Sequence, residues 1–126
     1  MKTMVCFRTV DGRFALPIES TLSVTTTAGL VNLPAPRADV IGMLPGEPPF
    51  SVLASLGSGG DHVLVLISDG VRYGLQVLEV FGVRRFDDNE VGPAPKGQQS
   101  ELISGTVGGR ADLTLVVDPT ALAARL

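Results

Sequence analysis

The chain has 126 residues, 44% hydrophobic and 18% charged, which is enough for one domain with a substantial core. Its formal charge is −3, and neither half has the excess of lysine and arginine that phosphate backbones require, which argues against a nucleic-acid-binding protein. A single cysteine, Cys6, excludes an internal disulfide, and its apolar surroundings predict a buried, unreactive thiol. The N-terminal segment lacks the long apolar core of a secretory signal, so we expect a cytoplasmic protein that does not insert into a membrane.

Short β-strands separated by turn residues are predicted along most of the chain. In order, the predicted strands are Met4–Val10, Phe14–Ile18, Thr21–Thr27, Val40–Leu44, Phe50–Leu56, Val63–Ile67, Val71–Val77, Ile103–Val107 and Leu113–Val117. Asp11-Gly12, Asp69-Gly70 and Gly108-Gly109 separate consecutive strands and predict three hairpins. A short helix is predicted over Pro119–Arg125, with Asp118 as its N-cap.

The clearest alternation of apolar and polar residues lies in Val71–Val77, which predicts a strand with one buried face. The alternation breaks at Leu78, where we expect a β-bulge or a sharp bend. The residues predicted to be mainly buried are Phe14, Leu16, Ile18, Leu64, Leu66, Tyr73, Leu75, Val77, Leu115 and Val117.

The two halves of the sequence resemble each other. Tyr73 lies 59 residues after Phe14, and the same offset relates several further pairs. These pairs are Leu16 with Leu75, Ile18 with Val77, Val24 with Val83, and Pro34-Ala35-Pro36 with Pro93-Ala94-Pro95; Ile41-Gly42 is echoed by Ser104-Gly105 at a slightly larger offset. The repeat predicts two similar β units, about 1–57 and about 61–126, and leaves open whether the chain crosses between them at the termini. Each has room for about five short strands, enough to close a small barrel.

No arrangement of residues predicts catalysis or a cofactor. The one histidine, His62, is expected at the start of a strand, with nothing resembling a nucleophile elbow beside it. The acidic residues are scattered, the glycines do not form a phosphate-binding loop before a helix, and metal ligands are too few for a zinc site. We therefore predict a non-enzymatic protein without a cofactor that acts by binding other proteins.

The sequence also resembles the CheW-like domain family of chemotaxis coupling proteins. The matching segments, in order, are Phe14–Ile18, Leu33-Pro34 through Val40-Ile41-Gly42, Val63–Val65, Tyr73–Val77, Ile103–Gly105 and Val116–Asp118. The resemblance implies an all-β fold of two small five-stranded SH3-like β-barrels, here followed by the short C-terminal helix. It also implies an adaptor that joins the regulatory domain of a chemotaxis histidine kinase to the cytoplasmic tip of a chemoreceptor.

The resemblance places the candidate partner-binding residues at Thr21, Leu22, Val24, Gly42 and Gly46. The sequence departs from the family pattern at three positions. The family's arginine-glycine pair is reduced to Gly46, because no lysine or arginine occurs between Arg37 and Arg72. Ser23 and Leu78 stand where the family usually has a glutamate and often an aspartate.

These departures predict that receptor coupling is weak or supplied by other residues. Two alternatives remain open at this stage. One is a CheW-like interaction module of another two-component or motility system. The other is a small β-barrel protein that binds a ligand or acts as an enzyme.

Overall fold

The computed structural model describes residues 1–32, 38–97, 101–109 and 113–126, and within these ranges it contains eleven β-strands and one short α-helix. The strands are β1 (Lys2–Thr9), β2 (Gly12–Pro17), β3 (Thr21–Thr26), β4 (Val40–Leu44), β5 (Phe50–Leu53), β6 (His62–Ser68), β7 (Val71–Val77), β8 (Glu79–Phe86), β9 (Val91–Gly92), β10 (Ile103–Val107) and β11 (Thr114–Val117). The helix α1 covers Pro119–Ala123, and short 3-10 helices cover Ile18–Ser20 and Asp88–Glu90. The all-β prediction and the three hairpins are confirmed; the predicted Pro34-Ala35-Pro36 connection lies outside the described residues.

The strands form two sheets. The first sheet has the order β8-β1-β2-β11-β10-β9, and the second has the order β3-β6-β7-β5-β4. Neighbouring strands are antiparallel, except that β11 runs parallel to β2 and β5 runs parallel to β7. The first sheet therefore takes its strands from residues 2–17 and 79–117, whereas the second takes all of its strands from residues 21–77. The unit boundary expected near residues 57–61 differs from this division, since it falls inside the second sheet.

The sequence repeat is visible in the two sheets, but each half completes the sheet of the other. Hairpin β1–β2 belongs to the first sheet and is joined there by β8, β10 and β11, whereas hairpin β6–β7 belongs to the second and is joined by β3, β4 and β5. The chain crosses between the sheets through Ile18–Ser20 and again at the bend at Leu78, as the broken alternation there predicted. Neither crossing is a two-residue hairpin turn. The strand after each crossing therefore joins the other sheet: β3 does not pair with hairpin β1–β2, and β8 does not pair with hairpin β6–β7.

One hydrophobic core lies between the two sheets. Phe14 and Leu16 from β2 contribute to it from the first sheet, and Tyr73 and Leu75 from β7 contribute from the second. The helix α1 adds the fully buried Leu122. Because the same cluster includes residues of both sheets, neither sheet has its main core without the other.

Each sheet also has a small core of its own. In the first sheet this core consists of Met4, Ala15, Phe86, Val107 and Val116, and in the second of Leu44, Phe50, Val52, Val63 and Val65. Gly74 stands in the second sheet where the repeat has Ala15 in the first. An added Cβ at Gly74 would lie 2.6 Å from Val63 Cγ1, so a methyl group has room in only one of the two small cores.

Most residues predicted to be buried are in the core between the sheets. Ile18 is the error: it is 36% exposed, because the strand ends at Pro17 and Ile18 begins a 3-10 helix instead of continuing the alternation. Leu115 is only partly buried and packs against the edge of the core.

The helix α1 is held at both of its ends. Asp118 is its N-cap, as predicted, because its Oδ1 accepts hydrogen bonds from the backbone N–H groups of Thr120 at 3.0 Å and Ala121 at 3.4 Å. The Tyr73 hydroxyl donates to the Pro119 carbonyl at 2.9 Å. Beyond the helix, the Arg125 guanidinium lies 3.2 Å from a carboxylate oxygen of Asp39, just before β4. The C-terminal segment is thereby fastened to the second sheet.

Candidate functional site

Two strands with exposed apolar side chains, β3 and β8, line a groove between the sheets. In the part of the chain that the structure describes, β3 is hydrogen-bonded only to β6 and β8 only to β1, so each is the last strand of its sheet. The groove has a volume of about 200 Å³. It is lined by Val5, Thr21, Leu22, Ser23, Val24, Leu64, Val80, Gly82 and Val83. We call it the inter-sheet groove.

The exposed side chains of β3 and β8 occupy equivalent positions in the repeat. Leu22 and Val24 on β3 correspond to Phe81 and Val83 on β8, and all four side chains are between 47% and 60% exposed. Leu22 and Phe81 are also the residues at which the strand register shifts, which is the mark of a β-bulge. A bulge leaves one residue unpaired and changes the direction of its side chain. Neighbouring apolar side chains exposed on two strands are typical of a surface that binds another protein.

A larger pocket, about 390 Å³, opens beside the inter-sheet groove and shares Leu22 and Ser23 with it. Its other lining residues are Thr25, Ala28, Leu44, Pro45, Gly46, Phe50, Val65 and Arg72. Leu44, Phe50 and Val65 belong to the small core of the second sheet, so the pocket is the open end of that core. We call it the Arg72 pocket, because Arg72 is the one charged residue among the described residues that line it.

The structure brings four of the five predicted site residues to these adjoining cavities. Thr21, Leu22 and Val24 line the inter-sheet groove, and Gly46 lines the Arg72 pocket. Sequence reasoning missed Phe81, Val83 and Arg72. The offset that relates Val24 to Val83 was a signal for β8, and it could also have related Leu22 to Phe81. Arg72 lies 26 residues from Gly46 in the sequence, and the spacing gives no signal that the fold brings the two to one pocket.

Gly42 is the fifth predicted site residue, and it does not reach this surface. It is buried in β4, where an added Cβ would overlap the carbonyl oxygen of Val31. Val31 and Met43 exchange two backbone hydrogen bonds at 2.9 and 3.0 Å across this contact. The glycine therefore serves a close approach of two backbone segments, and its position leaves no side chain or exposed surface for a partner.

A pocket of about 290 Å³ occupies the equivalent end of the first sheet. Arg13 lines it at the repeat position of Arg72, and its guanidinium carbon lies 5.4 Å from the centroid of the Phe81 ring. Cys6 also lines this pocket and is partly buried; burial raises the pKa of its thiol, and the nearby Arg84 guanidinium acts in the opposite direction. The predicted buried thiol is therefore only half-buried.

Other features of the described residues bear on chemistry. His62 is exposed at the first position of β6, as predicted. In the described ranges there is no group of three or more histidine, cysteine, aspartate or glutamate side chains placed to hold a metal ion. Over the same ranges, no helix has the length and apolar character that crossing a membrane would need.

The sequence model of the CheW-like domain matches residues 45–126, more than half of the chain. The chain belongs to the CheW-like domain family. Among solved structures, this CheW-like chain is similar to the scaffolding protein TtCheW from Thermoanaerobacter tengcongensis, with a TM-score of 0.81 and 16% sequence identity over 93% of this chain and 88% of that chain. The likeness confirms the predicted fold of two small SH3-like barrels. A search of curated protein sequences finds no match.

Proposed function

We propose that this CheW-like chain is a non-enzymatic, cytoplasmic adaptor of chemotaxis-like signalling. In this role it joins the regulatory domain of a histidine kinase to the cytoplasmic tip of a chemoreceptor. The observation that carries the proposal is the inter-sheet groove, where two sheet-edge strands expose apolar side chains at equivalent positions. Membership of the CheW-like family supports the class of partner.

The receptor tip is the partner proposed for the inter-sheet groove. The groove has apolar walls on both sides, from Leu22 and Val24 on β3 and from Val80 and Val83 on β8. The main driving force for binding there is burial of apolar surface, at roughly 25 cal/mol per Å² removed from water. Thr21 adds a hydroxyl at one end of the groove, where it already donates to the Ile18 carbonyl at 2.9 Å.

The kinase regulatory domain is the partner proposed for the outer surface of one barrel. A domain homologous to this chain would present a similar barrel, and two such barrels can pack through apolar contacts without a charged pair. The kinase contact therefore does not depend on the arginine that the sequence lacks between Arg37 and Arg72. Binding to the two partners should respond separately to substitutions in the groove.

The test measures dissociation constants for a kinase regulatory domain and for a receptor tip fragment, both from the organism that supplies this chain. Val24→Asp places a charge on the apolar wall of the groove and should weaken receptor binding at least about tenfold, because a desolvated unpaired carboxylate is costly. Kinase binding should be unchanged. Val10→Asp is the matched control: Val10 is also exposed but lines neither the groove nor the Arg72 pocket.

Two results would contradict the proposal in different ways. Tight receptor binding that is insensitive to changes at Thr21, Val24 and Gly46 would show that the receptor binds elsewhere. Failure to bind either partner would favour the second candidate, a CheW-like module of another two-component or motility system. The reduced arginine-glycine pair at Gly46 is the observation that favours this second candidate. Enzymatic activity that persists through purification and is lost on changing His62 would disprove the non-enzymatic role.

A further inference from the structure

The two arginines that the repeat places at equivalent positions differ in what they contact. Arg13 lies over the Phe81 ring, at 5.4 Å from its centroid, in a cation–π arrangement. The position equivalent to Phe81 is Leu22 in the second sheet, so the ring that Arg13 covers has no counterpart beside Arg72. Among the described residues, none forms a hydrogen bond, ion pair or ring contact with the exposed Arg72 side chain. With respect to the described part of the chain, its guanidinium therefore has hydrogen-bond donors available to a partner.

The surroundings of Arg72 restrict what such a partner can be. The pocket is otherwise lined by apolar and uncharged polar residues, with Phe50 and Val65 reaching it from the small core. An arginine offers a planar fork of donors that matches a carboxylate in two parallel hydrogen bonds. Among the described residues that line the pocket, Arg72 is charged and none is acidic, so an entering carboxylate meets a positive charge without a neighbouring negative one.

We propose that the Arg72 pocket binds an acidic side chain of the receptor tip whose neighbouring apolar side chain lies in the inter-sheet groove. The inference rests on the proposed function, since it assigns a subsite to the same partner. Val65 lines the Arg72 pocket and Leu64, its neighbour on β6, lines the inter-sheet groove, so the two cavities lie on opposite faces of the second sheet. They meet at the edge strand β3, where both are lined by Leu22 and Ser23, and a partner segment that occupies both passes over that edge. Arg72 then sets the register of that segment, because the apolar groove alone accepts an apolar side chain in several positions.

Gly46 contributes to this subsite by leaving space. An added Cβ at Gly46 would lie 3.0 Å from the Pro48 carbonyl oxygen and 3.5 Å from the Phe50 ring, so a larger residue would press on the side of the pocket. The proposed carboxylate site thus combines a guanidinium on β7 with a glycine in the β4–β5 loop. The two are 26 residues apart in the sequence, and the fold brings them to the same pocket.

The experiment compares receptor-tip binding of the wild-type chain with that of Arg72→Ala, Arg72→Lys and Arg13→Ala, at low and at high salt. Arg72→Ala should weaken binding roughly ten- to hundredfold, as expected when a charge-assisted hydrogen bond is lost. Arg72→Lys keeps the charge without the fork and should give an intermediate loss. Arg13→Ala, the matched arginine on the first sheet, should leave receptor binding unchanged. The salt dependence of binding should be smaller for Arg72→Ala than for the wild type.

The acidic partner is identified by changing each glutamate and aspartate of the receptor tip fragment to its amide in turn. One of these changes should weaken wild-type binding but have no further effect on Arg72→Ala, which is the signature of a direct pair in a double-mutant cycle. Full additivity for every acidic residue would overturn the inference. So would an Arg72→Ala chain that binds the receptor tip as tightly as the wild type.

The remaining outcomes separate this inference from the proposed function. If the wild-type chain binds the receptor tip and Arg72→Ala loses only kinase binding, the pocket belongs to the kinase and the inference is wrong. If Arg72→Ala instead abolishes self-association in sedimentation measurements and leaves receptor binding intact, the occupant is a second copy of this chain, and the inference is again wrong. If the wild type does not bind the receptor tip at all, the receptor part of the proposed function fails and takes the inference with it.

Discussion

The first and second sheets have the same plan and end in chemically different surfaces. At the open end of the first sheet, Arg13 covers the ring of Phe81, so a cation and an aromatic face are matched within the chain. At the equivalent end of the second sheet, Leu22 replaces the ring and Arg72 extends from the rim of an open pocket. In this repeated frame, the sheet with an aromatic residue matches its arginine to the ring, and the sheet with leucine at the equivalent position presents its arginine to the pocket.

The interiors of the two sheets also differ by small changes at equivalent positions. Ala15 and Gly74 are equivalent and differ by a methyl group, and Gly42 and Gly105 are both glycine but have different amounts of space. Phe14 and Tyr73 differ by one hydroxyl, which in Tyr73 reaches the helix α1. Each of these pairs allows a substitution in one sheet to be compared with the same substitution in the other.

The largest effect is expected from truncating the core between the sheets. Leu16 and Leu75 are equivalent and both fully buried, so Leu16→Ala and Leu75→Ala should each lower the free energy of unfolding by about 2–5 kcal/mol. Because both leucines belong to one cluster, chemical denaturation monitored by circular dichroism should show a single transition for each variant. Two separate transitions, or a change near zero for either variant, would mean that the sheets do not share this core.

A smaller and unequal effect is expected at the glycine pair. Gly42→Ala would drive a Cβ into the Val31 carbonyl oxygen and should cost about 1–3 kcal/mol, the range found for overpacking. Gly105→Ala should cost less, because its Cβ would lie 2.9 Å from the Gly92 carbonyl oxygen. Thermal and chemical denaturation of the two variants checks the order. An equal loss of stability in the two variants would contradict the interpretation that the close approach of Val31 leaves room for glycine alone at position 42.

The smallest effect at neutral pH is expected at the aromatic pair. Tyr73→Phe removes the hydrogen bond to the Pro119 carbonyl and should cost about 0.5–1.5 kcal/mol. The first sheet supplies the comparison, because Phe14 occupies the equivalent position without any hydroxyl. A variant as stable as the wild type would show that the hydroxyl does not help to hold the helix α1.

Tyr73 also makes stability depend on pH in the alkaline range. Burial, assisted by the Asp118 carboxylate, raises the pKa of Tyr73 from its ordinary value of 10.0 to about 12. Between these values the unfolded chain loses the proton and the folded chain keeps it, so stability should fall by about 1.4 kcal/mol per pH unit as the pH rises from about 10 to about 12. Tyr73 is the only tyrosine, so its ultraviolet titration reads this pKa directly, and Tyr73→Phe should lack the loss. A titration midpoint near 10 in the folded protein would contradict the prediction.

Much of the fold could be predicted because hairpins are local. The bounds of β4, β7 and β10, the bend at Leu78 and the cap at Asp118 all depend on residues within a few positions of one another. The exchange of strands between halves could not be predicted from the repeat, because the same pattern fits pairing within a half and pairing between halves. Ile18 was misplaced for a related reason: its alternation with Leu16 continues the strand pattern, although the chain is already turning towards the second sheet.

The candidate site could be predicted only in part. Thr21, Leu22 and Val24 were found because they lie on one strand that resembles a family segment. Arg72 could not be found from spacing, since it is distant in sequence from Gly46. It reaches the pocket because β6 pairs with β7 along one edge and with β3 along the other. A position of this kind depends on which strands are neighbours, and that is the part of the fold that periodicity does not specify.

The exchange of strands has a consequence for how the chain is made. Synthesis proceeds from the N-terminus, and domains usually fold in that order as they emerge. Here hairpin β1–β2 emerges first but must wait for β8 and β11, whereas the second sheet can be completed once residue 77 has left the ribosome. The nascent chain therefore carries an unfinished N-terminal hairpin, with its apolar face unmatched, throughout the synthesis of the middle of the protein. Strands β1 and β2 are synthesised before the other strands but are among the last to pair with all of their neighbours in the sheet.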